Sequence, residues 1–248
     1  MSVGILLLSH AIAYLTHEYS HSVTAWLLGY MPHPFALDYG GLTPANIVLL
    51  SGVGDNVQYD PILATGHGTA AAAIALAGPY VGNALLYVGL CIVARRLPEQ
   101  GIFATSCLYW LMLMCAGNVW SYVPIRAITT HADIAIAANG LHVGVWTLFP
   151  VLVVPSLILV GHFFLRICPS LMPSITADQP ARKALVIALT STWFFTFFGG
   201  IGLYGSYGAV SEALSVLSAV LLMPLSVIWL WNRCPQAKAV GNRTAPNG

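Results

Sequence analysis

The most informative stretch of the chain is THEYSHSVT, residues 16–24, which stands inside an otherwise apolar run. Within it His17, Glu18 and His21 form the pattern H-E-x-x-H, which helices of zinc hydrolases use to bind their metal. In a helix the two histidines lie one above the other on one face, where they can fill two positions of a tetrahedral zinc. Glu18 can then act as general base towards water. The pattern predicts a metal site that needs a third protein ligand from elsewhere.

Composition places this motif in a membrane protein. Of the 248 residues 58% are hydrophobic and 7% charged, whereas soluble domains carry about 25% charged residues. Around the motif, residues 1–30 hold a single carboxylate, Glu18, and no lysine or arginine. A carboxylate at bilayer depth costs about 2.5–3.5 kcal/mol on insertion scales, so it needs a partner or a function. We predict a multi-pass integral membrane protein, and the net charge of +1 gives no support for a nucleic-acid partner.

The apolar segments predict an all-α polytopic fold with about six transmembrane helices, since a helix crosses the bilayer with roughly 20 residues. They form one domain over residues 1–231, followed by a polar, disordered tail at 232–248. Glycines, prolines and acids set residues 30–64 apart, and there we expect a β-hairpin or a re-entrant segment. The predicted spans are residues 3–29, 65–94, 101–123, 141–166, 184–204 and 209–231.

Basic residues divide unevenly between the two sides of this arrangement. Arg126 falls on one side, and the other eight lysines and arginines fall on the opposite side. The positive-inside rule then places both termini in the cytoplasm and the 30–64 loop outside.

Asp133 is the predicted third ligand. It follows the third span in a polar segment where Pro124 is expected to break or kink the helix. Irregular backbone at membrane depth is tolerated mainly where it lines a site or cavity. His131, two residues before Asp133, is the alternative ligand, and a solvated exit loop is the other interpretation of this segment.

Taken together, residues 5–140 resemble the site-2 protease family of intramembrane zinc metallopeptidases. That family combines an early H-E-x-x-H helix with a Gly-Pro-x-x-Asn element and an Asn-x-x-Pro…Asp-Gly element, whose Asp is the last zinc ligand. The counterparts in this sequence are Gly78-Pro79 with Asn83, and Asn118 with Pro124 and Asp133.

Three details differ from the family pattern. Asn83 stands one residue later than usual, Asn118 and Pro124 are further apart, and Ile134 replaces the glycine after the aspartate.

The resemblance implies an intramembrane zinc endopeptidase whose substrate is a transmembrane helix of another membrane protein. Zn²⁺ is then held by His17, His21 and Asp133, and Glu18 moves the proton. Asn118 is expected to hold the substrate backbone extended, and Asn83 and Pro124 are further substrate-binding positions. The family's catalytic centre usually opens towards the cytosol, which opposes the orientation that the basic residues predict, so the orientation stays open.

Other classes of membrane protein remain as alternatives. A di-iron hydroxylase or desaturase needs about eight histidines in several clusters, but the eight histidines here include one pair at ligand spacing. A metal transporter is expected to carry acids and histidines along several helices, and the last three spans are nearly bare of them. A protease-like scaffold that binds helices without cutting them is the stronger alternative.

Overall fold

A computed structural model describes residues 2–96, 101–177 and 179–234. Counting adjoining α- and π-helical turns as one helix, these ranges contain nine helices and no β-strand. Most of the predicted tail, residues 235–248, lies outside the described residues. The helices are α1 Ser2–Leu27, α2 Pro44–Leu49, α3 Tyr59–Ala64, α4 Gly68–Arg96, α5 Ile102–Ile125, α6 Asp133–Gly140, α7 Val145–Thr176, α8 Pro180–Leu203 and α9 Ala209–Arg233.

Five of these helices, α4, α5, α7, α8 and α9, are long and apolar enough to cross a membrane. The predicted first span also forms one helix, the 26-residue α1, but it is not among the five. The polar residues at 16–24 lower its hydropathy, and the helix packs against the middle of α4 and against α5. Among the described residues, five helices are thus long and apolar enough to cross a membrane, whereas the sequence predicts about six.

Residues 28–58 form a compact loop that lies on α1. The expected β-hairpin is reduced to one isolated antiparallel bridge between Asp38 and Gly54. Prolines at 32, 34 and 44 lack the N–H that a strand ladder needs. The imidazole of His10 bonds through Nε2 to the Leu49 carbonyl at 3.0 Å, and the Tyr14 hydroxyl donates to the Val53 carbonyl at 3.1 Å. Two side chains of α1 therefore hold the loop in place.

The main apolar core surrounds α5 and leaves the H-E-x-x-H stretch outside it. Tyr109 and Trp110 of α5 are buried against aromatic residues of α7 and α8, among them Phe163 and Phe194. From α1 this core takes residues of the first half only, Ile5, Leu6 and Ala13. The second half of α1 packs in a smaller apolar cluster through Ala25, and its histidines contact polar partners.

Candidate metal centre

In the described part of the chain, the side chains placed to hold a metal ion are those of His17, His21 and Asp133. The Nε2 atoms of the two histidines are 3.1 Å apart. Asp133 Oδ2 lies 3.5 Å from Nε2 of His17 and 3.7 Å from Nε2 of His21. Two of these residues come from α1, and the third is the first residue of α6.

The other ring nitrogen of His17 fixes its tautomer. Nδ1 lies 2.9 Å from Oδ1 of Asn83, and the amide group of Asn83 is oriented because its Nδ2 donates to the Ala13 carbonyl at 2.9 Å. The amide oxygen can only accept, so Nδ1 carries the proton. Nε2 of His17 therefore presents a lone pair to the centre.

His21 has the same arrangement with a backbone partner. Its Nδ1 donates to the Ile74 carbonyl at 2.7 Å, which leaves Nε2 as the unprotonated atom. Ile74 is on α4 just before a π-helical turn at Ala77–Leu85. Pro79 in that turn has no N–H. The Ile74 carbonyl, five residues earlier, therefore lacks the donor that a π-helix would supply. The Ile74 carbonyl accepts from the N–H of Ala77 as well, and the missing donor leaves its other lone pair to His21.

Asp133 is positioned by the short helix that it begins. Backbone contact between Gly140 of α6 and Gly68 of α4 brings the two helices together, and a Cβ on either glycine would clash with the other's carbonyl. Ala132, just before Asp133, has φ 73° and ψ 176°, a conformation that costs of order 1–3 kcal/mol for a residue other than glycine. Strain of this kind concentrates at functional sites.

Electrostatics favour an ionised Asp133. Burial by itself raises the pKa of this carboxyl, whereas a positive charge beside it, on Arg126 or on a cation held with the histidines, lowers it. Its buried Oδ2 has no hydrogen-bond partner among the described residues. A buried carboxylate oxygen without a donor is costly, so a cation between Oδ2 and the histidines would satisfy it.

The three atoms fit a divalent metal ion. Two imidazole lone pairs and a carboxylate oxygen are all acceptors, so they cannot satisfy one another. Their separations of 3.1, 3.5 and 3.7 Å leave a point about 2.0 Å from each, the length of a zinc bond to nitrogen or to a carboxylate. Three protein ligands are also the number found in catalytic zinc sites, which keep a further position for water.

Glu18 lies beside this centre and is 6% exposed. Tyr122 of α5 donates its hydroxyl to Glu18 Oε1 over a long 3.5 Å, and its ring lies 3.8 Å from the imidazole of His17 between centroids. The sequence analysis did not select Tyr122. A partial signal existed, because Tyr122 is four residues after Asn118 and so shares its helix face.

Asp55 is a second residue that sequence reasoning did not select. Its Oδ2 lies 4.0 Å from Nδ1 of His21 and accepts a 2.7 Å hydrogen bond from the Tyr59 hydroxyl. Burial and the nearby Asp55 carboxylate raise the pKa of Tyr59 well above its usual value, so the hydroxyl stays protonated as a donor. Asp55 stands in a glycine-rich loop without any metal-ligand spacing, so no local pattern marked it.

The remaining predicted site residues occupy different places. Asn83 is fully buried behind His17, and Pro124 is buried in the π-helical turn that ends α5. Asn118 is 2% exposed, and its Nδ2 has no partner among the described residues. His131 is exposed and stacks on Tyr207 with ring centroids 4.6 Å apart, outside the group of three ligands.

None of three comparisons gives a match for this chain: with protein-family models, with curated proteins and with solved structures. The function of the chain is therefore inferred from the geometry of the site.

Proposed function

We propose that the chain is an intramembrane zinc metalloendopeptidase of the site-2 protease type, which cleaves a peptide bond in or near a transmembrane segment of another membrane protein. The observation that supports this most directly is the convergence of three unprotonated acceptor atoms next to a glutamate. Such a set fits one cation with an open position and a base beside it.

The residues of the chain divide the chemistry between them. His17, His21 and Asp133 would hold the metal ion, which supplies Lewis-acid chemistry by acidifying water and polarising the scissile carbonyl. Glu18 takes the proton from the attacking water and delivers it to the leaving nitrogen. Asn83 and the Ile74 carbonyl keep the two imidazoles in the ligating tautomer, as partners of metal ligands commonly do.

The number of membrane crossings is part of the proposal. We infer six, with α1 as the sixth, because the other helices and the 28–58 loop surround its polar second half. A polar residue inside a bilayer is tolerated when it faces the protein interior, and His17, Glu18 and His21 are all buried.

Metal analysis of the purified full chain in detergent tests the site. We expect about one zinc ion per chain in the wild type, and its loss in His21→Ala and in Asp133→Asn. Asp38→Asn, an acid outside the site, is the matched control and should keep the metal. Zinc that persists in Asp133→Asn but is lost in His131→Ala would reject Asp133 as the third ligand.

Turnover of a transmembrane substrate in proteoliposomes tests the reaction. Glu18→Gln keeps the size of the side chain but cannot accept the proton, so we expect activity to fall about 10²–10⁴-fold with zinc retained. Wild-type protein that binds zinc without any cleavage would support the non-cutting scaffold instead.

A further inference from the structure

A cavity of about 260 Å³ borders the metal centre through Tyr122. Its walls come from α1, from the end of α2, from the end of α5 and from the end of α8, with Tyr207 beyond it. One part of the wall is apolar and includes Leu49, Phe197 and Ile201, and the other part is polar. The volume corresponds to roughly eight or nine waters, which is room for one terminal residue of a peptide.

Arg126 brings a buried positive charge to this cavity. It is 7% exposed, and among the described residues no carboxylate oxygen lies within 4.0 Å of its nitrogens. Its Nε donates to the Ser121 carbonyl at 3.1 Å, Nη2 to the Ser121 hydroxyl at 3.4 Å and Nη1 to the Tyr207 hydroxyl at 3.2 Å. A guanidinium has five N–H donors, so these three bonds leave two free.

Asn118 adds an independent donor to the same cavity. Its side chain is 2% exposed, and Nδ2 is buried without a hydrogen-bond partner in the described part of the chain. Leaving a buried amide donor unsatisfied is costly, as is burying a cation that has no carboxylate within hydrogen-bond distance. Both costs are removed by one ligand that is anionic and accepts several hydrogen bonds.

We propose that this cavity binds the terminal carboxylate of a peptide, with Arg126 pairing with the carboxylate, Asn118 donating to it and the apolar wall taking the last side chain. A carboxylate matches the planar fork of a guanidinium, which can donate two parallel hydrogen bonds. Tyr122 joins the two sites, since it contacts His17 and Glu18 as well as the Arg126 guanidinium, whose Cζ lies 3.8 Å from its ring centroid.

The carboxylate has two sources. It is either the C-terminus of the substrate or the new C-terminus that cleavage creates. This assignment of the carboxylate to substrate or product rests on the proposed peptidase function. Carboxylate binding itself does not depend on turnover.

Calorimetric titration of the solubilised full chain tests the binding. The probes are N-acetyl-leucine and N-acetyl-leucinamide, which differ in the carboxylate. We expect the acid to bind at least about tenfold more tightly than the amide, because charge-assisted hydrogen bonds are the stronger ones. Arg126→Gln and Asn118→Leu should each weaken binding of the acid, Arg126→Gln by about tenfold or more.

Arg95→Gln is the matched control, since Arg95 is exposed on α4 and lines a different cavity, and it should bind the acid as the wild type does. Zinc content and thermal unfolding verify that each variant is folded. If Arg126→Gln does not fold, the binding measured for Asn118→Leu decides the test. Equal binding of acid and amide, or unchanged binding of the acid in a folded Arg126→Gln or Asn118→Leu protein, overturns the proposal.

Peptides with free and amidated C-termini separate the two sources. Faster cleavage near the end of the free-acid peptide identifies the substrate's terminus. The alternative result is that both peptides are cleaved equally at an internal bond, and that N-acetyl-leucine inhibits this cleavage in the wild type but not in Arg126→Gln. That result identifies the new C-terminus of the product as the bound carboxylate. A protein without peptidase activity that still binds the acid through Arg126 would refute the proposed function and leave the carboxylate site standing.

Discussion

At the scale of single residues, each of the two histidines owes the lone pair on its Nε2 to the partner on the far side of its ring. An imidazole has two nitrogens, and a partner that can only accept forces the proton onto the nearer one. For His17 that partner is Asn83, and for His21 it is the Ile74 carbonyl. The H-E-x-x-H pattern specifies the ligands, whereas these partners from α4 specify their protonation.

Replacing Asn83 tests this role. In Asn83→Leu the volume is similar but the acceptor for His17 Nδ1–H is lost, so the imidazole is no longer held in the ligating tautomer. We expect zinc affinity to fall roughly 10–100-fold, the usual cost of removing a partner of a metal ligand. Competition with a chelator measures it, and Asn139→Leu, an exposed position on α6, is the control. Unchanged affinity in Asn83→Leu would argue against a positioning role for Asn83.

At the scale of helices, the site depends on how closely α1 approaches α4. A Cβ at Gly78 would clash with Nε2 of His21, and a Cβ at Gly82 would lie 2.7 Å from the Thr16 carbonyl oxygen. Small residues four apart on one helix allow two helices to approach to backbone contact. This approach puts the α4 carbonyl and amide partners within reach of the histidines.

Gly78→Ala is therefore expected to disrupt the metal centre. The added methyl group would push the His21 ring away from its place. The atom that it meets first is His21 Nε2, which belongs to a ring held at its other nitrogen and not to the end of a flexible side chain. We expect zinc to be lost from the purified variant while the protein remains helical by circular dichroism. Gly89→Ala on the same helix is the matched control, because a Cβ there meets nothing within 4 Å. Zinc retained in full by Gly78→Ala would contradict the close approach.

At the scale of the whole molecule, the arginines at the end of α4 lie at the opposite end of that helix from the candidate metal centre. Arg95 and Arg96 end α4, whose other end, at Gly68, contacts the helix that carries Asp133. The positive-inside rule then puts the arginine end in the cytoplasm and the 28–58 loop on the opposite side.

Labelling of single added cysteines tests this orientation. Leu42 in the 28–58 loop is 94% exposed, so we expect Leu42→Cys to react with a membrane-impermeant maleimide in intact cells. Arg96→Cys should react only after permeabilisation. The wild type sets the background, since its cysteines are buried or half-buried. The reverse pattern would place the centre on the cytosolic side, as the family resemblance implies.

The sequence by itself determined the ligand spacing of His17 and His21 on one helix and the helical, apolar architecture. Both follow from local rules: ligand spacing on a 3.6-residue helix, and the number of apolar residues needed to cross a bilayer. The same rules could not count the crossings with certainty, because the hydropathy of α1 is lowered by the polar residues of its own site.

Only the tertiary structure decided which residues meet. Asp133 joins the histidines because the contact of α6 with α4 turns its side chain towards them. His131 does not join them, since its ring stacks on Tyr207. Asn83 comes from α4, Asp55 from the 28–58 loop, and Tyr122 and Arg126 from the end of α5. Neither their spacing nor their local pattern carries that information, since contacts between distant segments depend on how the helices pack.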